Sequence, residues 1–261
     1  MRFLFLFVSL ISLKAFGQIS PNVILTYDSD TTFWADWRLK EIKKLNLLSP
    51  NEGIDFFRIS SPKYDLELSS KSNKMIFHAN EIWENKQTGE CYIKSFELTS
   101  AQVKKIKQLI DSSGINEIPS DRYIKGWQHG FDGITYIIEN KKKDHYSFKT
   151  YWTPSAQIKF KESAAISNFI DQLNEITGYR TNLKLFEGEI PFYGWTYEGS
   201  MVTIKVILNS RAYRKYKRMK KKQMRRDKNL KKPPPTKRLF PYHNLPSIMI
   251  ILCKHIRCIN R

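Results

Sequence analysis

Disulfide bonding is largely out of reach for this chain. Its 261 residues hold three cysteines, and residues 18–208 hold one, Cys91. A fold of that part must rest on a packed core rather than on cross-links. Histidines are also few, five in all, and none falls into the spacing of a zinc finger. The longest apolar runs, residues 3–13 and 247–253, are too short to span a bilayer. An excess of charge of either sign is missing from the first 204 residues, where 25 Lys/Arg meet 24 acids. The remaining 57 residues carry 19 Lys/Arg against Asp227 alone, so nearly all of the formal +19 belongs to the tail. The body has no electrostatic reason to bind nucleic acid, and no specific nucleic-acid recognition is expected.

What is present at the start is a secretory layout. Arg2 precedes an apolar run from Phe3 to Leu13, broken by Ser9 and Ser12, and Ala15-Phe16-Gly17 offers small residues before a cut. This predicts a signal peptide over residues 1–17, a mature start at Gln18, and export to the periplasm, envelope or medium. The expected organisation is then one globular domain over 18–208 and a basic tail over 209–261.

Within the domain, residues 23–27 read as a strand and 33–48 as an amphipathic helix capped by Asp30 or Thr31. Two short strands follow at 54–59 and 64–68. In the second, Tyr64, Leu66 and Leu68 alternate with Asp65 and Glu67, the pattern of a half-buried strand. A unit then reads as written twice at an offset of 55 residues, with seven identical pairs that include Glu84/Glu139, Lys94/Lys149 and Gln102/Gln157. Each copy reads as hairpin then helix, over about 75–114 and 131–178. Thr99-x-x-Gln102 has capping-box spacing, and Gly114 and Gly178 are natural helix stops. The expected fold class is α+β: an antiparallel sheet of two ββα units side by side, with both helices on one face. Residues 183–186 and 201–208 are expected as edge strands.

The tail is dominated by Lys and Arg from 211 to 232, followed by Pro233-Pro234-Pro235. It reads as disorder or a lone surface helix, with disorder the expectation. Its natural partners on an exported protein are anionic membrane surfaces or other polyanions. Cys253, His255 and Cys258 lack a second cysteine pair, so no metal and no cofactor are expected.

Two clusters carry functional residue types. In the first, an apolar run leads into Asp28-x-Asp30-x-Thr32. It resembles the first motif of haloacid-dehalogenase-type phosphatases. The resemblance implies a nucleophilic Asp28 and an acid/base Asp30. A downstream paired-Asp motif and a doubly wound parallel sheet, which that family needs, are not seen in the sequence. The second cluster is Gly126-Trp127-Gln128-His129-Gly130-Phe131-Asp132-Gly133, where His129 and Asp132 could serve a hydrolase or a ligand loop. Trp127, His129, Asp132 and Trp152 are the candidate binding residues, with Trp195 a further aromatic that could line a sugar or peptide platform. With no complete catalytic set, the expected function is a non-enzymatic binding module for a protein, peptide or glycan. The alternatives are a hydrolase at Asp28/Asp30 or His129/Asp132, or a surface protein tethered to polyanions by its tail.

Overall fold

A computed structural model describes residues 23–30, 34–158, 160–198 and 202–230. The fold is α+β, with five helices and one large mixed sheet of nine strands among the described residues. By contact it divides into residues 1–207 and 208–261.

The strands are β1 (Ile24–Leu25), β2 (Phe56–Ser60), β3 (Tyr64–Ser69), β4 (Asn73–Trp83), β5 (Lys86–Glu97), β6 (Thr135–Lys142), β7 (His145–Trp152), β8 (Gly194–Thr196) and β9 (Ile204–Lys205). The helices are α1 (Trp34–Lys44), α2 (Ser100–Ser113), α3 (Lys161–Thr177), α4 (Tyr179–Glu189) and α5 (Ser210–Leu230). The sheet runs β1-β7-β6-β2-β3-β4-β8-β9, and β5 pairs with the other edge of β4. Two expectations are corrected here. The sheet is not purely antiparallel, because β1 pairs with β7 in parallel. Nor do the two hairpins lie side by side: the β2–β3 pair separates them, β2 against β6 and β3 against β4.

The 55-residue match also fails to follow the structure. Glu84 and Asn85 form the β4–β5 turn with φ of 50° and 61°, which a tight hairpin requires. Glu139 and Asn140 lie inside β6, and the turn there falls after them, with φ of 56° at Lys143. Gln102 closes the capping box of α2, whereas Gln157 follows a short 3-10 turn and donates to the carbonyls of Gln128 and Trp152. Turn and cap chemistry draws on few residue types, which is enough to produce such identities.

One face of the sheet carries the main core. Leu66 of β3 and Met75, Phe77 and Ala79 of β4 pack there with Ile106 of α2 and Ile166, Phe169 and Leu173 of α3. Gly114 and Gly178 end α2 and α3 in the left-handed conformation, with φ of 64° and 65°. Residues 183–186, expected as a strand, belong to α4. Tyr179, Leu183 and Phe186 recur at helical spacing, and Phe186 stacks on Phe77 and Tyr92.

The other face is covered too. Ile76 packs with Ile42 and Leu45, and Phe56, Ile137, Tyr146 and Phe148 form a second cluster with Trp37. The strand β3, expected half-buried, is therefore buried on both faces: Asp65 and Glu67 are each 1% exposed. Expected helix residue Phe33 and cap residue Thr31 lie outside the described residues, as do the signal-peptide segment and residues 231–261. Of the two forms the tail composition allows, residues 210–230 take the helical one, in keeping with the high helix propensity of Lys and Arg. Among the described residues no helix is long and apolar enough to cross a membrane.

Candidate functional site

Period-2 alternation explains how charge comes to be buried under α1. On β2, β3, β4 and β6 the side chains opposite the main core are Arg58 and Ser60, Asp65 and Glu67, His78 and Asn80, and Glu139. From α1, Arg38 reaches down to them. Its guanidinium donates to Glu139 at 2.7 Å, to Asp65 at 2.9 Å and to Ser60 at 2.6 Å. Arg58 in turn donates to Glu139 and to Glu67, both at 2.8 Å. Tyr146 donates its hydroxyl to Glu139 at 2.7 Å. Burial alone would push the carboxyls of Asp65 and Glu139 up. The adjacent Arg38, with His78 and Ser60 at Asp65 and with Arg58 at Glu139, instead holds both below the ordinary carboxylate range.

This network stops at an unfinished end. His78, 2% exposed, places Nε2 at 3.4 Å from Asp65, while its Nδ1 has no partner. Glu41 of α1 accepts at Oε1 from Lys44 Nζ at 3.3 Å, and its Oε2 is buried without a partner. Glu198, just after β8, accepts from Asn80 at 2.7 Å and from Lys44 at 3.4 Å. One ligand atom each from Glu41, His78 and Glu198 lies within 4.8 Å of the others. Burial, then repulsion from Glu198, raises the Glu41 carboxyl above its usual value despite Lys44. Hydrogen bonds from Asn80 and Lys44 hold Glu198 low against its own burial. A cavity of about 140 Å³ opens onto this cluster, lined also by Trp37, Pro62 and Gly133. That is room for a few waters or one ion with its remaining shell.

The sites expected from the sequence are placed elsewhere. Asp28 accepts from Lys149 at 2.6 Å and from Thr26 at 2.6 Å, which hold it below its usual value although burial opposes this. Asp30 pairs with Arg122 at 2.9 Å and accepts from Thr150. Both carboxylates tie the short β1 region to the sheet, and that sheet is not the doubly wound parallel one a phosphatase resemblance requires. Trp127 is core, packed on Tyr151 and Phe160, with its indole donating to the carbonyl of Trp152. His129 is half exposed, 3.9 Å from Asp121 and beside the Trp152 ring. Asp132 is exposed, and no hydrogen bond or ion pair joins it to His129 among the described residues. Trp195 is buried in β8, paired to β4 rather than placed near Trp152. A Cβ at Gly133 would collide with Trp152, 2.7 Å away, and with Thr153, so the glycine is set by close packing of the loop. Asp121, absent from the sequence reading, accepts from the Trp152 amide and the Thr150 hydroxyl, and burial raises its pKa.

Compared with known proteins, the chain matches no family model and no curated protein.

Proposed function

We propose that this is an exported, non-catalytic binding protein whose ligand is a small cation held in the cavity between α1 and the sheet. The observation that carries the reading is the pair of buried, unpartnered acceptors, Glu41 Oε2 and His78 Nδ1, at one end of an otherwise satisfied network. A buried polar group without a partner costs about 1–3 kcal/mol, which a ligand could offset. The charge count agrees. Arg38, Lys44 and Arg58 contribute +3, and Glu41, Asp65, Glu67, Glu139 and Glu198 contribute −5, so the cluster stands at −2 with His78 neutral. Export rests on the N-terminal layout. The absence of catalysis rests on the engagement of Asp28 and Asp30 in structural pairs.

The test is a thermal-shift screen of the purified, untagged full chain against ammonium, small organic amines and metal cations. At least one cation should raise the melting temperature of the wild type and not that of Glu198→Gln. Equal responses, or none from any cation, end this reading.

A second reading concerns α5. Eleven of its 21 residues are Lys or Arg, against Asp227, and this favours attachment to an anionic surface.

A further inference from the structure

We infer that the cavity is a first-row divalent transition-metal site, with His78, Glu41 and Glu198 as ligands and Asp65 as the residue that orients the histidine. This deepens, and rests on, the reading of the cavity as a cation site.

Each ligand is already prepared on its far side. A metal-binding histidine normally gives its second ring N–H to a carboxylate, which sets the tautomer and the ring plane. Asp65 stands at that position, 3.4 Å from Nε2, and is itself fixed by Arg38 at 2.9 Å. That leaves Nδ1 as the free donor atom, in a side chain 3% exposed. Both carboxylates are held by one oxygen and free at the other. Glu41 is held through Oε1 by Lys44, leaving Oε2. Glu198 is held through Oε2 by Asn80 and Lys44, leaving Oε1. Lys44 reaches the two at 3.3 and 3.4 Å, longer than the 2.7–2.9 Å of a strong charge-assisted bond, so it saturates neither.

The donor set selects the class of metal. One imidazole with two carboxylates suits zinc, manganese or iron; an all-oxygen shell would suit magnesium or calcium. The charge of −2 matches a dication. Ligand atoms around a tetrahedral ion with bonds near 2.05 Å stand about 3.3 Å apart. One ligand atom of each residue lies within 4.8 Å of the others, so any separation beyond about 3.3 Å must contract on binding. Glu198 can supply the movement, since its side chain is 22% exposed and lies in a turn after β8. Three protein ligands leave a further position open toward the cavity for water or a small ligand.

The experiment uses the purified, untagged full chain, stripped with chelator and titrated with Zn²⁺, Mn²⁺ and Mg²⁺ by calorimetry. One equivalent of Zn²⁺ or Mn²⁺ should bind in preference to Mg²⁺. Glu41→Gln and Glu198→Gln should each weaken it by at least about tenfold, with the circular dichroism spectrum unchanged. His78→Ala serves as a third variant where it folds. Substitution with Co²⁺ checks for capture by a thiol: a thiolate-to-cobalt band would mean a cysteine ligand, Cys91, Cys253 or Cys258, and overturn the inferred donor set. Binding that neither glutamine variant affects overturns it as well. If an organic amine stabilises the wild type but not Glu198→Gln while no metal does, the metal assignment falls and the cavity reading stands. If neither class binds, both fall.

Discussion

Arg38 of α1 and Glu139 of β6 meet in the protein interior: Nε and Nη2 of the arginine both donate to Oε2 of the glutamate, at 2.9 and 2.7 Å. The pair fastens the helix to the centre of the sheet and carries the wall of the cavity. Both side chains are almost fully buried, 3% and 0% exposed. Removing one partner of such a pair leaves an uncompensated charge in a poorly solvated place. Arg38→Met is therefore expected to lower unfolding free energy by about 3–5 kcal/mol. Urea unfolding checks it, and a loss under about 1 kcal/mol, the size for an exposed pair, would contradict the burial argument.

Acid should undo the same face. Asp65 and Glu139 have folded-state pKa values depressed below their ordinary 3.8 and 4.5, because their arginine partners outweigh burial. A depressed carboxyl contributes stability that is present above its unfolded pKa and is lost as pH falls through the folded one. The contribution of these two carboxylates is thus expected to be constant from neutral pH down to about 5 and to be lost steeply below about pH 4. Denaturation midpoints measured from pH 7 to pH 2 decide this; a loss centred above pH 5 would point to other groups.

Glu41 has the opposite sign. Burial and the nearby Glu198 raise its pKa, so the contribution tied to its proton is present at low pH and lost as pH rises. Glu41→Gln should stabilise the metal-free protein at pH 7, on the order of 1 kcal/mol, as expected when a functional carboxylate is neutralised. The gain should vanish near pH 3, where the native side chain is also neutral. A variant that is less stable than the wild type at pH 7 would show that Glu41 is structural.

Much of the architecture could be read from local chemistry. The capping box at Thr99, the glycine stops at 114 and 178 and the apolar stripes of α2 and α3 all act within a few residues. The candidate site was hidden for a physical reason. Alternation of Asp65 and Glu67 with Tyr64, Leu66 and Leu68 looks the same whether the polar side meets water or a buried arginine. Only the folding of α1 over that side makes the difference. His78 sits within an apolar stretch of β4 and gives no local signal, whereas His129, on a glycine-rich loop, carries such a signal and lies at the surface. The strand order carries the same lesson, since insertion of β2–β3 between the hairpins is a long-range event.

Lys94 and Lys149, matched in the sequence, should respond very differently to mutation. Lys94 pairs with Glu189 across a surface where the two side chains are 26% and 50% exposed. Lys149 is 3% exposed, pairs with Asp28 and donates to the carbonyls of Asn116 and Ile118. Lys94→Ala is expected to change stability by about 0–1 kcal/mol, and Lys149→Ala to cost about 3–5 kcal/mol because Asp28 and two carbonyls lose their partner. Equal effects in denaturant titrations would restore the equivalence of the two positions.

The basic helix makes a prediction of its own. Residues 210–230 carry eleven Lys/Arg and one Asp, a net charge of +10. Near an anionic bilayer each basic side chain contributes on the order of 1 kcal/mol, through a field that decays over about 10 Å in 0.1 M salt. Sedimentation with vesicles containing 30% anionic lipid should pellet the full chain at low ionic strength and release it progressively as salt rises. Neutral vesicles should leave it in solution. Deleting residues 209–261 should abolish pelleting while leaving metal binding at Glu41, His78 and Glu198 intact. Pelleting that survives the deletion, or that salt does not weaken, would assign membrane attachment to the globular part instead.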